Sequence, residues 1–318
     1  MARALIKEIA NRKNYLLNGN FDFWQRGTSF STAGTYQSDR WYNPTGELSN
    51  VTVTKSTATP FLGSTSFSRA TSTGASSFAN LAQALESTVV NGMKGKTFTF
   101  SIVVRRNSTF NATGISVAIQ KNATADTRQG GTWSTISGVS TPLASLAADT
   151  WVQLQVTATI PNDGTANGVR VYLSYNTSVA SGSILDISQG MLNEGSVAAP
   201  FTLASPTIDS ELQSCKRYYQ QNPRMWVQVR QSTTTEYYVL YNFEVEMRIA
   251  PTPILNTTTP YSEYPVTGTG RSGSGSTISV IHHQTLKDIA FYLTGFSGLT
   301  ALGMAILELG VFGVDAEL

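Results

Sequence analysis

From Val51 onward, short apolar-rich runs alternate with clusters of Gly, Asn, Ser and Thr. The runs that predict strands are Val51 to Lys55, Phe67 to Ala70, Leu81 to Leu85, Thr97 to Arg105, Ile115 to Lys121, Trp151 to Ile160, Val169 to Tyr175 and Ile184 to Leu192. Trp151 and Leu154 with Val156, Ala158 and Ile160, and likewise Val169, Val171 and Leu173, show the period of two expected of a strand with one buried face. About eight such runs within about 150 residues, with no long helical pattern between them, predict antiparallel sheets stacked as a sandwich. The stretch from Asn122 to Asp149 lacks the period and reads as a long irregular loop carrying Trp133. Loops of that length are usually functional or mobile.

Helical spacing is confined to two places. Leu5, Ile6, Ile9 and Ala10 share one face of Ala2 to Lys13. A run this short is marginal alone, so that face needs a partner, in this chain or in another protein. After the linker Ala204 to Thr207, a helix opening at Asp209 places Leu212, Cys215, Tyr218 and Tyr219 on one side. Strands then resume at Trp226 to Arg230, Tyr237 to Val245, Ile254 to Thr258, Thr277 to Ile281, Asp288 to Leu293 and Ala301 to Leu309. Thr259 to Ser276, with Tyr261, Tyr264 and Arg271, reads as an exposed hairpin or loop tip. The predicted class is all-β: a segment 1–13 forming a short attachment helix, a sandwich over 14–203, and a smaller β-rich domain over 204–318 opened by a short helix.

Between the first two regions lies the densest aromatic cluster, Phe21, Phe23, Trp24 and Trp41, behind the turn signal Asn18-Gly19-Asn20. Asn and Gly tolerate the positive φ of a sharp turn. Each aromatic can bury roughly 150–250 Å², so the cluster is a candidate core anchor, with Asp39 and Arg40 expected at its rim.

Composition narrows the function. Charged residues make up 13% of the 318 and the net charge is +2, with no Lys/Arg cluster, which argues against nucleic-acid binding. Hydroxyls and amides take the place of charge on the surface. One cysteine, Cys215, excludes a disulfide within the chain, and it is expected to be a small buried hydrophobe. No apolar run approaches the roughly 18 residues of a membrane span, and the opening residues do not resemble a signal peptide. His282 and His283 are adjacent in a predicted strand and point to opposite faces, so they do not share a metal or form a base–nucleophile pair. A polysaccharide-cleaving site needs two carboxylates about 5–10 Å apart. The carboxylates here are scattered, and the expectation is a protein that is not an enzyme. Trp133 suits either stacking on a sugar ring or closing as a lid on the sandwich; burial is the commoner fate of a large aromatic.

The string LNGNFDFWQRGTSF, followed after a spacer by Ser38-Asp39-Arg40-Trp41, resembles the opening of a carbohydrate-binding-module-like jelly roll found in structural proteins of tailed bacteriophages. Gly95 to Val104 resembles the central strand of that family, and Gly190 to Phe201 resembles its end. Glu211 to Tyr219 resembles the start of a separate C-terminal β domain, and Asp315 to Leu318 the closing tetrapeptide of related fibre domains. The resemblance implies a virion structural protein, a tail fibre or appendage subunit made without a signal peptide; the alternatives are a capsid- or tail-decorating protein with protein contacts alone and a polysaccharide depolymerase. Its implied partners are other virion proteins, further copies of itself, commonly as a trimer, and host-surface polysaccharide. Trp133, Tyr261, Tyr264 and Arg271 are the candidate glycan contacts, and Leu5, Ile6 and Ile9 the candidate assembly contacts. No cofactor is implied; jelly rolls of this class often carry a structural calcium, which here would rest on backbone carbonyls because no dense acidic loop is present.

Overall fold

In a computed structural model of the chain, the alternating runs become strands whose apolar positions point between two sheets. The structure describes residues 13–75, 77–222, 225–231, 236–255, 261–265, 271–273, 277–294, 304–309 and 312–318. Contacts divide the chain into two units, Met1–Cys215 (with Leu318) and Lys216–Glu317. Leu5, Ile6 and Ile9 lie outside the described residues.

The first unit contains β1 (Ser29–Phe30), β2 (Val51–Ser56), β3 (Phe67–Ser72), β4 (Leu81–Ala84), α1 (Ser87–Met93), β5 (Thr97–Arg106), β6 (Gly114–Asn122), β7 (Ser134–Pro142), β8 (Val152–Thr159), β9 (Gly168–Tyr175), β10 (Ile184–Glu194) and α2 (Ile208–Lys216). One sheet has the order β1-β2-β3-β10-β5-β8 and the other β4-β9-β6-β7, all antiparallel. Strands β3 to β10 thus interleave as 3-10-5-8 over 4-9-6-7, the double Greek key of a jelly roll. Phe98, Phe100, Ile102 and Val104 of β5 and Leu154, Val156 and Ala158 of β8 face Ile115, Val117 and Ile119 of β6 and Val169, Val171 and Leu173 of β9. Each such side chain stabilises the fold by roughly 1.5–3 kcal/mol on leaving water.

Three expectations need correction here. The loop over 122–149 contains the nine-residue strand β7. Its period is hidden because Ile119 pairs with Ser137 and Gln120 with Thr135, which leaves Ile136 as an extra, bulged residue packed on the core. Trp151 belongs to the opposite face from Leu154, as an odd position among even ones must. Asp39 and Arg40 are buried, at 1% and 3% exposure. Gln25 satisfies both oxygens of Asp39, through its backbone N–H at 3.0 Å and its Nε2 at 2.7 Å, and Arg40 Nη2 donates to Ala84 O at 2.9 Å. Hydrogen bonding is what lets charges leave water.

The boundary between the units falls between Cys215 and Lys216, at the C-terminal end of α2. The inward positions of α2 are Glu211 and Cys215, one turn apart. Glu211 is 0% exposed; its carboxylate accepts the backbone N–H groups of Asn18 and Ser205, each at 2.7 Å. Burial pushes the Glu211 carboxyl above its ordinary value of 4.5, against the pull of those donors. A folded-state pKa above the unfolded one means the folded chain holds the proton longer. The stabilisation is therefore complete below the unfolded value and lost as pH rises through the folded one. Glu211→Gln is expected to flatten the fall of stability as pH rises above 4.5, as urea midpoints at stepped pH would show; an unchanged slope would mean another group sets it.

The second unit contains β11 (Tyr219–Asn222), β12 (Met225–Gln231), β13 (Tyr237–Asn242), β14 (Thr252–Leu255), β15 (Tyr261–Pro265), β16 (Arg271–Gly273), β17 (Thr277–Gln284), β18 (Asp288–Thr294), β19 (Met304–Leu309) and β20 (Phe312–Asp315). They form sheets of order β11-β20-β14 and β16-β15-β19-β12-β13-β18-β17. Its core gathers Tyr237, Val239, Met247, Ile289, Phe291, Leu293, Phe312 and Val314.

Candidate binding groove

The site is built outward from Asn14. Its side-chain Nδ2 donates to Gly190 O and Thr202 O at 3.1 and 3.0 Å, and its Oδ1 accepts from Leu16 N and Leu192 N at 3.0 Å. Tyr15 N donates to Leu192 O at 2.9 Å, and Gly190 N to Gly19 O at 2.7 Å. Residues 14–19 thereby take the place along β10 that β3 leaves after Ile187. Asn18 turns the chain with a φ of +53°. Its Nδ2 bonds Phe23 O and Asp39 O at 2.9 and 3.1 Å, and its backbone O accepts Trp41 Nε1 at 3.0 Å. Gly19 serves a different purpose from the turn: a Cβ there would stand 2.1 Å from Gly190 O. The anchor predicted from the aromatics is real, with Phe21, Trp24 and Trp41 at 0%, 8% and 1% exposure and the Phe21 and Trp41 rings 4.9 Å apart.

What this anchor grips is an irregularity in β10. Ser188 pairs with Val103 and Met191 with Ser101, so Gln189 and Gly190 stand together opposite Ile102. A Cβ on Gly190 would meet the Trp41 ring at 2.8 Å, while Gln189, at φ +48°, turns out of the other side of the sheet. There it borders a groove of about 610 Å³. Ser101 and Val103 of β5 and Gln153 of β8 lie beneath it. Phe61, Leu62 and Gly63 form one wall, Pro200 and Phe201 another, and Trp151 stands at the start of β8. Among the described residues, no ionisable side chain lines it.

The floor is fixed by strand parity, since Ser101, Val103 and Gln153 alternate with core residues. The walls are fixed by hydrogen bonds. Gln189 Nε2 donates to Leu62 O at 2.7 Å, and the Ser64 and Ser188 hydroxyls lie 3.1 Å apart. Asn193 ties the other wall, with Nδ2 on Val197 O at 3.0 Å and Oδ1 accepting Ala199 N at 3.1 Å. Trp151 is held edge-on by Phe61 and Phe67, each at 5.6 Å, with the Arg105 guanidinium 4.6 Å over its ring. Gln153 is exposed and its amide has no hydrogen-bond partner among the described residues. The groove can therefore offer aromatic and aliphatic faces and the unengaged amide of Gln153, with the buried Ser101 beneath.

The sequence-derived candidates lie elsewhere. Trp133 is half-buried over the outer face of the smaller sheet, packed on Tyr36 and Tyr42, with Arg170 4.6 Å over its ring and its Nε1 donating to Arg128 O at 3.2 Å. One ring face and the indole donor are thus engaged within the chain. Burial pushes the neighbouring Tyr42 phenol up, against Arg170, Arg128 and Arg40, which draw it down. Trp133→Ala is expected to destabilise the unit by about 1–2 kcal/mol, less than the loss of a fully buried Trp, and to leave polysaccharide retention in affinity gels at the wild-type level. Tyr261 and Tyr264 lie in β15 and Arg271 in β16, with Glu263 paired to Arg271, but their side chains lie outside the described residues. The groove's own residues are Phe61, Trp151, Gln153, Gln189 and Phe201. Only the parity of Trp151 against Leu154 gives them away in the sequence.

No family model and no curated protein matches the sequence. Among solved structures, the chain is similar to the enzymatically active domain of tailspike protein 4 of bacteriophage CBA120, with 17% identity and a TM-score of 0.38 over 57% of this chain and 21% of that one. It thus spans about a fifth of the length of that solved chain. It is also similar to the C-terminal family 22 carbohydrate-binding module of Clostridium thermocellum Xyn10B, with 16% identity and a TM-score of 0.37 over 59% of this chain and 98% of that one. A third likeness is to the CBM22-1 xylan-binding domain of Paenibacillus barcinonensis Xyn10C, with 12% identity and a TM-score of 0.36 over 58% of this chain and 99% of that one.

Proposed function

We propose that this chain is an adhesive structural subunit of a tailed-phage virion, a tail fibre or appendage, whose jelly roll holds an uncharged stretch of host-surface polysaccharide in the groove beside Trp151. The observation that carries the reading is the lining: the aromatic side chains of Phe61, Trp151 and Phe201 with the free amide of Gln153, and no ionisable group among the described residues. Sugar rings present apolar faces that stack on aromatics and hydroxyls that pair with amides, so this lining matches that chemistry. The absence of a carboxylate from the lining suits holding a chain and not cutting it. Each groove is a modest site. Copies assembled side by side, a trimer by the resemblance of the chain to fibre subunits, would raise avidity by roughly 10²–10⁴. The second unit and the segment around Leu5, Ile6 and Ile9 are the proposed contacts with other virion proteins.

Affinity electrophoresis of the full chain in gels carrying soluble xylan, β-glucan, mannan or galactan tests the reading. Retardation is expected in at least one, unchanged between about 0.05 and 0.5 M salt because no charge pairing is involved. Migration unaffected by every neutral polysaccharide, or retardation that vanishes with salt, would overturn it. Mass spectrometry of purified particles and light scattering of the purified chain test the virion assignment and the trimer.

A further inference from the structure

Across the outer face of the larger sheet runs a row of paired residues: Arg69 on β3, Asp186 on β10 and Arg105 on β5. The Asp186 carboxylate, 3% exposed, accepts Arg69 Nε at 2.7 Å and Nη2 at 3.0 Å, and Arg105 Nε at 3.0 Å and Nη2 at 2.8 Å. Arg105 then reaches past the sheet. Its Nη1 donates to Thr59 O at 3.1 Å and Thr59 Oγ1 at 2.9 Å, and its Nη2 lies 3.4 Å from Ala58 O. All five guanidinium hydrogens are thus directed, two to Asp186 and three to residues 58–59. Thr59 has a φ of +53°, a conformation that a threonine adopts only where its surroundings impose it. Two residues further on, the same loop becomes the groove wall at Phe61, Leu62 and Gly63. Leu62 is 88% exposed, so apolar burial does not hold the tip. The Arg105 guanidinium also backs the Trp151 ring.

From this geometry we infer that Asp186 and Arg105 are positioning residues of the groove. The carboxylate aims the guanidinium, and the guanidinium fixes both the wall at 58–63 and the Trp151 platform, without either group touching a bound chain. A planar fork is needed for this, because an ammonium has three hydrogens and cannot serve one carboxylate oxygen twice and three loop acceptors besides. The inference rests on the groove being the polysaccharide site.

The test compares wild type with Arg105→Lys, which keeps the charge, and Arg105→Gln, which keeps some hydrogen bonding without it. Amide hydrogen exchange over residues 57–66 is read without ligand, and retention is read in gels of xylan, β-glucan, mannan and galactan. Both variants are expected to exchange about tenfold faster in that loop, with protection at β5 and β6 unchanged, and to lose about five- to tenfold in retention. Tryptophan emission is expected to move to the red as Trp151 loosens, a signal that a purely stabilising ion pair elsewhere would leave in place. If Arg105→Gln does not fold, Arg105→Lys alone decides. Wild-type exchange in the loop of either variant, or faster exchange with full retention, overturns the inference. Failure of the wild-type chain to be retained in any gel overturns the polysaccharide reading instead, and loop exchange then decides the clamp by itself.

Discussion

Gly19→Ala is expected to destabilise the jelly roll by about 2–4 kcal/mol, the largest loss from any single added methyl in the first unit. The added Cβ would stand 2.1 Å from Gly190 O and 3.0 Å from the Phe201 ring. The nearer obstacle is backbone, so it yields only if residues 14–19 lift off β10. Lifting them breaks the bond from Gly190 N to Gly19 O and strains the Asn14 contacts. Urea unfolding of the full chain measures the effect. Gly92→Ala supplies the contrast: this residue lies in α1 with nothing within 4 Å of the added Cβ, and the change should stabilise by about 0.5 kcal/mol or leave stability unchanged. Equal midpoints for Gly19→Ala and wild type would mean that the N-terminal segment is not docked on the bulge.

The second large effect concerns binding. Trp151→Ala is expected to abolish polysaccharide retention, a loss of about a hundredfold, as removal of a central aromatic anchor commonly costs 2 kcal/mol or more. Trp151→Phe should keep part of it, because a smaller ring still presents an apolar face. Neither change removes a core residue, so each should melt only a little below wild type. Full retention by a folded Trp151→Ala protein would remove the groove from consideration and return attention to the aromatic residues of β15.

The strands were legible wherever alternation was intact. The runs at Thr97 and Val169 appear within a residue of their sequence limits, because both place every second side chain in the core. The strand at Ser134 was hidden by one bulged residue, Ile136, and by an edge position that leaves most of its side chains in water. Asp39 and Arg40 were misread for a related reason. Charge predicts exposure unless a partner is supplied, and their partners, Gln25 and Ala84, come from elsewhere in the chain. The groove was illegible as a unit. Its walls and floor come from five separated stretches, around residues 61, 101, 151, 189 and 201, brought together by the interleaving of the two sheets. The one signal available was that Trp151 and Leu154 are three positions apart, an odd step that sends the two to opposite faces.

Docking of residues 14–19 on β10 also governs when the first unit can close during synthesis. Asn14 and Leu192 are 178 positions apart, and their pairing is among the last that an emerging chain can make. Contacts of such long range slow folding, since chain entropy is lost before the contact returns anything. Until Leu192 clears the ribosome, residues 14–19 have no strip of β10 to dock on, and Trp41 lacks the Gly190 backbone it packs against. A nascent chain cut short before that point carries its stickiest surface at the front, open to chaperones and to other nascent chains alike.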